Sequence, residues 1–491
     1  MSENVMAIDQ GTTGTTVVIL SKNLDILGKA NTEFPQIYPQ PGWVEHNPED
    51  IWSSVTETIS KALANANVSG ESIGAIGITN QRETTLVWDR ATSQPIFNAI
   101  VWQCRRTASA SDALKADGHT ETFSKKTGLV LDAYFSGTKV AWILDHVDGA
   151  RARAEELAFG TVDTFLVWRL SGEKKVHVTD VSNASRTLLF NLHTMEWDDE
   201  LLEILNVPRE LLPEVRGNAE VYARTSGVPG LPDGIPIAGM AGDQQSALFG
   251  QACFGRGEAK CTYGTGAFLL VNTGNTPVRS QHGMLTTVGW RLNDETTYVL
   301  EGSAFIAGAA VQWLRDGLGL IGNAAEVETL AASVPDSGGV TFVPALAGLG
   351  APHWRQDARG AFFGITRGTT RAHMARAVLD GIALQIADIL GAMADDLGSP
   401  LTGLRVDGGA CRNNLLMQFQ ADILQIPCIR PTMIETTALG AALLGGLGAG
   451  IWESQDQLRT IWQEDRVFAP NMDKTQVESL LAQWALAVSR V

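Results

Sequence analysis

The stretch Val5-Met6-Ala7-Ile8-Asp9-Gln10-Gly11-Thr12-Thr13-Gly14-Thr15-Thr16-Val17-Val18-Ile19-Leu20 decides the fold. Two apolar, β-branched runs flank a turn of glycines and threonines, which predicts an antiparallel hairpin. A third strand is expected near Ile26, completing a meander. The acid, Asp9, stands at the end of the first strand, where it can hold a hydrated Mg²⁺ while turn N–H groups and hydroxyls face phosphate oxygens. Glycine-threonine turns also occur in hairpins without any such role, so this one turn leaves both readings open. The same pattern returns after Gly250 in EAKCTYGTGAFLLVN, with Gly264-Thr265-Gly266 at the turn. A repeated hairpin opening each half of a chain predicts two related lobes.

Working outward, Asn47-Pro48-Glu49-Asp50 reads as a helix N-cap with a first-turn proline and acids, followed by Ile51, Val55, Ile59 and Leu63 at helical spacing. Strands are expected over 75–79, 85–88 and 235–240, and helices over 138–147 and 199–205. The second half alternates in the same way, with helices over 305–318, 373–393, 415–424 and 437–447 and strands over 340–344 and 404–406. The pattern is mixed α/β, with a boundary near residue 248 that divides 1–248 from 249–491 and leaves a cleft between the halves.

At 491 residues the chain exceeds what one hydrophobic core usually serves, which agrees with two lobes. The net charge of −17 argues against nucleic acid and anionic membrane surfaces as partners, so phosphate has to be held by local dipoles and metal. Five dispersed cysteines without a CxxC pair predict neither a disulfide framework nor a zinc site, and fit a reducing cytoplasm. The N-terminus offers no basic or apolar leader, so no secretion signal is expected. The most membrane-like stretch, 438–451, is too short and too rich in Gly and Ala to span a bilayer, and reads as a closely packed internal helix.

Several residues carry candidate chemistry. Arg82 and Glu83 follow the apolar run AIGIT and are either an ordinary ion pair or the charged wall of a pocket. Asp243 ends the apolar run GIPIAGMAG just before a helical stretch, which places a carboxylate at a strand terminus facing the cleft. Val406-Asp407-Gly408-Gly409 is a tight strand-to-helix turn or the floor of an adenosine pocket. Neither GxxxxGK[ST] nor GxGxxG occurs at these turns.

The two hairpins, GGACRNN, and the blocks PGWVEH, GITNQRET, AIVWQCRRT, YFSGTKVAW, AGDQQSALFGQ, EGSAFIAGAAVQWLRD and GLGAP resemble the FGGY carbohydrate kinases, within the actin-like ATPase superfamily. The resemblance spans all but the last forty or so residues. It implies two RNase H-like domains flanking a cleft, and within the family it is most similar to members that phosphorylate glycerol from ATP with Mg²⁺. Carried onto this chain, it implies a glycerol pocket of Arg82, Glu83, Trp102, Tyr134, Asp243, Gln244 and Phe268, with Asp243 as general base. It assigns Thr12, Thr13, Gly14, Thr265 and Gly266 to the phosphates, Gly308, Gln312, Gly409 and Asn413 to the adenosine site, and Asp9 to Mg²⁺ through water. A glycerol-catabolic enzyme forming homodimers or homotetramers is implied, with another family substrate such as erythritol or a pentulose as the alternative. Pocket chemistry agrees: a small triol needs buried hydrogen bonds for affinity and aromatic cover for its carbon edge. One departure stands out, because most of the glycerol-directed members read GTTSSR where this chain has Thr16 in place of the arginine. Gly14, lacking a Cβ, is expected to let the turn approach the phosphates in compensation.

Overall fold

The computed structural model describes residues 3–491 and contains two large mixed sheets. The first is built from β1 (Asn4–Gln10), β2 (Gly14–Leu20), β3 (Ile26–Glu33), β4 (Ile73–Asn80), β5 (Ala219–Arg224) and β6 (Pro236–Gly242), in the order β5-β6-β4-β1-β2-β3. The meander β1-β2-β3 is antiparallel, and β4 and β6 continue from it in parallel. β1 is buried on both faces from Val5 to Ile8, which is why it reads as a continuous apolar run rather than an alternating one.

The second sheet repeats the plan with β7 (Glu258–Tyr263), β8 (Ala267–Gly274), β9 (Leu285–Leu292), β10 (Glu295–Ala304), β11 (Gly403–Asp407), β12 (Cys428–Pro431) and β13 (Glu464–Phe468). Its order is β9-β10-β8-β7-β11-β12-β13, so a hairpin, an antiparallel neighbour and two parallel strands occupy matching places in both sheets. The expected repeat is therefore present. The expected strand at 85–88 forms instead as Leu86–Asp89 and pairs with Leu157–Gly160 in a separate ribbon, outside both sheets.

Helix α1 (Pro48–Ala66) begins as its sequence dictates. The Asn47 side chain accepts from the Glu49 N–H at 3.0 Å, and the Ile51, Val55, Ile59 and Leu63 stripe is buried. Each such side chain contributes about 1.5–3 kcal/mol by leaving water. The other helices that matter here are α2 (Asp243–Gly250), α3 (Gly308–Asp316), α4 (Arg371–Leu397), α5 (Asn414–Leu424) and α6 (Thr436–Gly448). By length and composition α4, not the 438–451 stretch, is the helix best able to cross a membrane. Most of its apolar window is buried against the second sheet and its neighbours, as in a core helix.

Helix α6 is the closely packed internal helix anticipated from its glycines, but its chief partner is the first sheet. A Cβ on Gly77 of β4 would lie 1.8 Å from the Ala441 carbonyl oxygen, and one on Gly239 of β6 would lie 2.2 Å from the Gly445 nitrogen. Backbone meets backbone here because side chains are absent on both sides. All five cysteines are free and buried.

Candidate active site

Three parallel strands of the first sheet end level with one another, with Gln10 opposite Asn80 and Asn80 opposite Gly242. The carboxyl ends of such strands are where open α/β sheets bind ligands. Each strand delivers functional groups at that edge: Asp9 and the first hairpin from β1, Arg82 and Glu83 from β4, and Asp243 from β6 as the first residue of α2.

The two glycine turns close alike, Gly11 N–H donating to the Gly14 carbonyl and Gly264 N–H to the Gly266 carbonyl, both at 2.9 Å. Thr13, Gly264 and Thr265 are exposed, and Thr12 and Gly266 partly so. The Gly14 expectation is corrected, because a Cβ there would stand 2.8 Å from the Thr32 carbonyl oxygen of β3. Its missing side chain makes room for a neighbouring strand rather than for a ligand. Thr16 lies directly across from Asp9 in the β1–β2 ladder, and its hydroxyl accepts from Asn31 at 2.9 Å.

The second hairpin gathers the other expected nucleotide residues. The Gly308 N–H donates to the Gly264 carbonyl at 2.9 Å, and a Cβ on Gly308 would be 2.5 Å from that oxygen, so α3 is seated on the turn and carries exposed Gln312 with it. Gly408, at φ 82°, packs as tightly on the Tyr263 backbone. Its neighbour Gly409 has open space where a Cβ would be, and Asn413 caps α5 by accepting from Leu416 N–H at 2.9 Å.

The polyol-pocket candidates are built around a buried charge network. Arg82 and Glu83 are 3% and 1% exposed, so they are not a surface ion pair. Arg82 is held bidentately by Glu301, at 2.5 and 3.1 Å, bonds Gln245 at 3.1 Å, and faces Asp243 Oδ1 through Nε at 3.0 Å. Nη2 makes no second hydrogen bond among the described residues. Glu83 lies 3.8 Å from Arg82 but 2.6 Å from Arg186, its true partner. It adopts a left-handed φ of 60°, a strained choice for a non-glycine residue, pinned by Ser136 and Lys139 donating to its carbonyl. Burial outweighs the nearby Arg186 and Arg82 and pushes its carboxyl up.

Trp102 and Tyr134 meet edge to face at 5.6 Å, and the Trp102 indole N–H donates to Thr12 Oγ1 at 2.9 Å, tying the pocket wall to the first hairpin. Gln244 accepts from buried Lys260 at 2.5 Å, and partly exposed Phe268 comes from β8. Arg186, Glu301, Gln245 and Lys260 were not foreseen. Arg186 and Glu301 lie in SNASRT and TTYVLEGSA, which carry no turn or cap signal that would mark a site.

Asp243 is 32% exposed. Asp9, partly buried, has its carboxyl pushed up to about 7 by burial first and then by the charges of Asp243 and Glu435. Among the described residues no group of three or more His, Cys, Asp or Glu converges as a metal cage. A hydrated Mg²⁺, which keeps most of its waters and takes one or two carboxylates together with phosphates, needs no such cage. His146, His193 and His282 bond to a carbonyl of Trp142, a carbonyl of Lys125 and the Asp396 carboxylate.

Residues 4–250 match the N-terminal domain of the FGGY family of carbohydrate kinases and residues 259–449 its C-terminal domain. The chain is 59% identical over 490 residues to a glycerol kinase of Myxococcus xanthus, covering 99% of each, and 56% identical over 489 residues to glycerol kinase 2 of Thermotoga maritima, covering 99% of this chain and 98% of the relative. Among solved structures it is similar to Plasmodium falciparum glycerol kinase with ADP, at a TM-score of 0.94 and 37% identity over 99% of this chain and 98% of that one.

Proposed function

Because the chain belongs to the FGGY family of carbohydrate kinases, we propose that it transfers the γ-phosphoryl group of ATP to glycerol, giving sn-glycerol 3-phosphate, with Asp243 as the general base. Full-length relatives at 56–59% identity that are glycerol kinases support the substrate. The observation that carries the chemistry is Asp243 itself, a partly exposed carboxylate oriented through Arg82 Nε at 3.0 Å.

In this reading glycerol lies between Trp102 and Phe268, its hydroxyls bonded by Arg82, Glu83, Tyr134 and Gln244. Asp243 accepts the proton of the primary hydroxyl as that oxygen attacks phosphorus in line, and its pairing with Arg82 keeps it aimed. Phosphoryl transfer depends chiefly on alignment and charge stabilisation. Thr12, Thr13 and Gly14 face the phosphates from one side and Thr265 and Gly266 from the other, while Gly308, Gln312, Gly409 and Asn413 line the adenosine. Asp9 would hold Mg²⁺ through water, and the ion, when bound, would offset phosphate charge. The polypeptide divides near residue 248, and the enzyme serves glycerol catabolism in the cytoplasm as a homodimer or homotetramer, which sedimentation tests.

Turnover of ATP with glycerol, erythritol, xylulose and gluconate tests the reading. A kcat/KM highest for glycerol is expected, and a higher value for any of the other three would overturn it.

A further inference from the structure

Two residues of the second sheet reach into the polyol pocket without belonging to it. Glu301, on β10, is 3% exposed, and its carboxylate accepts from both Arg82 Nη atoms and from Arg186 Nη2, the last at 3.0 Å. Lys260, on β7, is fully buried and donates to Gln244 Oε1 at 2.5 Å and Thr262 Oγ1 at 2.8 Å. Each therefore crosses from one sheet to a residue that follows a strand of the other.

Such an arrangement is costly for stability alone, since ion pairs taken out of water often do no better than apolar residues of the same shape. Burial by itself works against ionisation of Glu301, yet the guanidiniums of Arg186 and Arg82 hold its carboxyl down at about 2. It stays charged at every working pH. Without it, Arg82 and Arg186 would face each other with only the Glu83 and Asp243 carboxylates and the Gln245 amide to satisfy them, and Arg82 would turn from its present geometry. Without Lys260, the Gln244 amide would lose the partner that fixes which of its ends faces the pocket.

We propose that Glu301 and Lys260 are positioning residues for the polyol: supplied by the second lobe, they set the orientation of Arg82 and Gln244, so that the pocket is complete only when that lobe is docked. This rests on the glycerol reading above. It makes affinity for the acceptor a property of both halves, including the half that carries the nucleotide hairpin Gly264–Gly266.

The test is steady-state kinetics of Glu301→Gln and Lys260→Met, which keep size and remove charge, with glycerol and ATP varied separately. Loss of a charge-assisted contact of this kind is expected to raise KM for glycerol about tenfold or more. KM for ATP is expected to stay within about twofold. Glycerol binding without nucleotide, read by isothermal titration calorimetry, is expected to weaken in parallel. A purely structural role would lower the unfolding midpoint and the active fraction without separating the two KM values, and that outcome overturns the proposal. If Glu301→Gln fails to fold, Arg186→Lys, which keeps the charge but loses the Nη2 contact to Glu301, is expected to show the same split, and its absence counts equally against the idea. Wild-type enzyme that ignores glycerol but phosphorylates another polyol refutes the substrate reading instead, and the same KM comparison on that polyol then decides the positioning role.

Discussion

Replacing Asp9 with asparagine is expected to stabilise the ligand-free protein while destroying its activity. The carboxyl is pushed up to about 7 from an ordinary 3.8, burial being the main cause and Asp243 and Glu435 the next. A carboxyl whose folded pKa is raised binds its proton more tightly in the native state, so the stability it contributes is fully present below about pH 4 and is lost as pH rises through about 7. A shift of that size corresponds to about 4 kcal/mol. Because Asp9 is only partly buried, solvent screening reduces the effect to about 1–2 kcal/mol. Asparagine has nearly the same shape and carries no charge to repel Asp243. Chemical denaturation of wild type and Asp9→Asn without nucleotide is expected to give a variant about 1–2 kcal/mol more stable at pH 8 and a gap that closes only as the pH falls below about 4. With Mg²⁺ and ATP present, the order should reverse, since only the wild type gains the bound cation. A variant less stable than wild type at pH 8 without ligand would show that Asp9 is a structural carboxylate and refute the reasoning.

Asp243→Asn is expected to lower kcat by about 10²- to 10⁴-fold while ATP affinity stays near normal, checked by calorimetric titration of nucleotide alongside turnover; comparable kcat would remove the base. Gly77→Ala should destabilise the protein by at least about 3 kcal/mol, because its Cβ would meet the Ala441 carbonyl at 1.8 Å with backbone on both sides. Gly391→Ala in α4 is the control, since nothing lies within 4 Å of its would-be Cβ and the helix gains about 0.5–1 kcal/mol; equal unfolding midpoints for the two variants would contradict the packing account. Thr16→Arg places a guanidinium across the ladder from Asp9 and is expected to flatten the dependence of turnover on free Mg²⁺; superimposable titrations with wild type would mean the position carries no charge role.

How far the sequence revealed this molecule depended on whether a residue's signal was local. The hairpins, α1 with its Asn47 cap and the helix behind the 438–451 stretch were legible because periodicity, capping and glycine spacing are written into neighbouring residues. Asp9, Arg82 and Asp243 were legible because the first lies near the end of a buried strand and the other two follow one, and β1, β4 and β6 end at one level. β10 was missed although Thr296, Thr297, Tyr298 and Val299 favour strands, because its run passes directly into the helical pattern of EGSAFIAGAAVQW. With it went Glu301. The pairing of Glu83 with Arg186 rather than adjacent Arg82 was illegible too, since it joins residues 103 positions apart. The role of Gly14 was misjudged because what a missing Cβ makes room for depends on the neighbouring strand β3.

The seat of α6 on the first sheet bears on how the protein is made. Val5, Ala7, Val18, Leu20 and Ala75 share a core with Ala438, Leu439, Ala441 and Ala442. The ribosome finishes β6 at Gly242 and reaches Thr436 roughly 190 residues later, which is about 10–40 s of synthesis. Throughout that interval the first sheet exists with one greasy face uncovered. A nascent chain in that condition is a client for holding chaperones, and a fragment ending near residue 250 should be recovered as aggregate unless a segment carrying residues 436–448 is supplied alongside it.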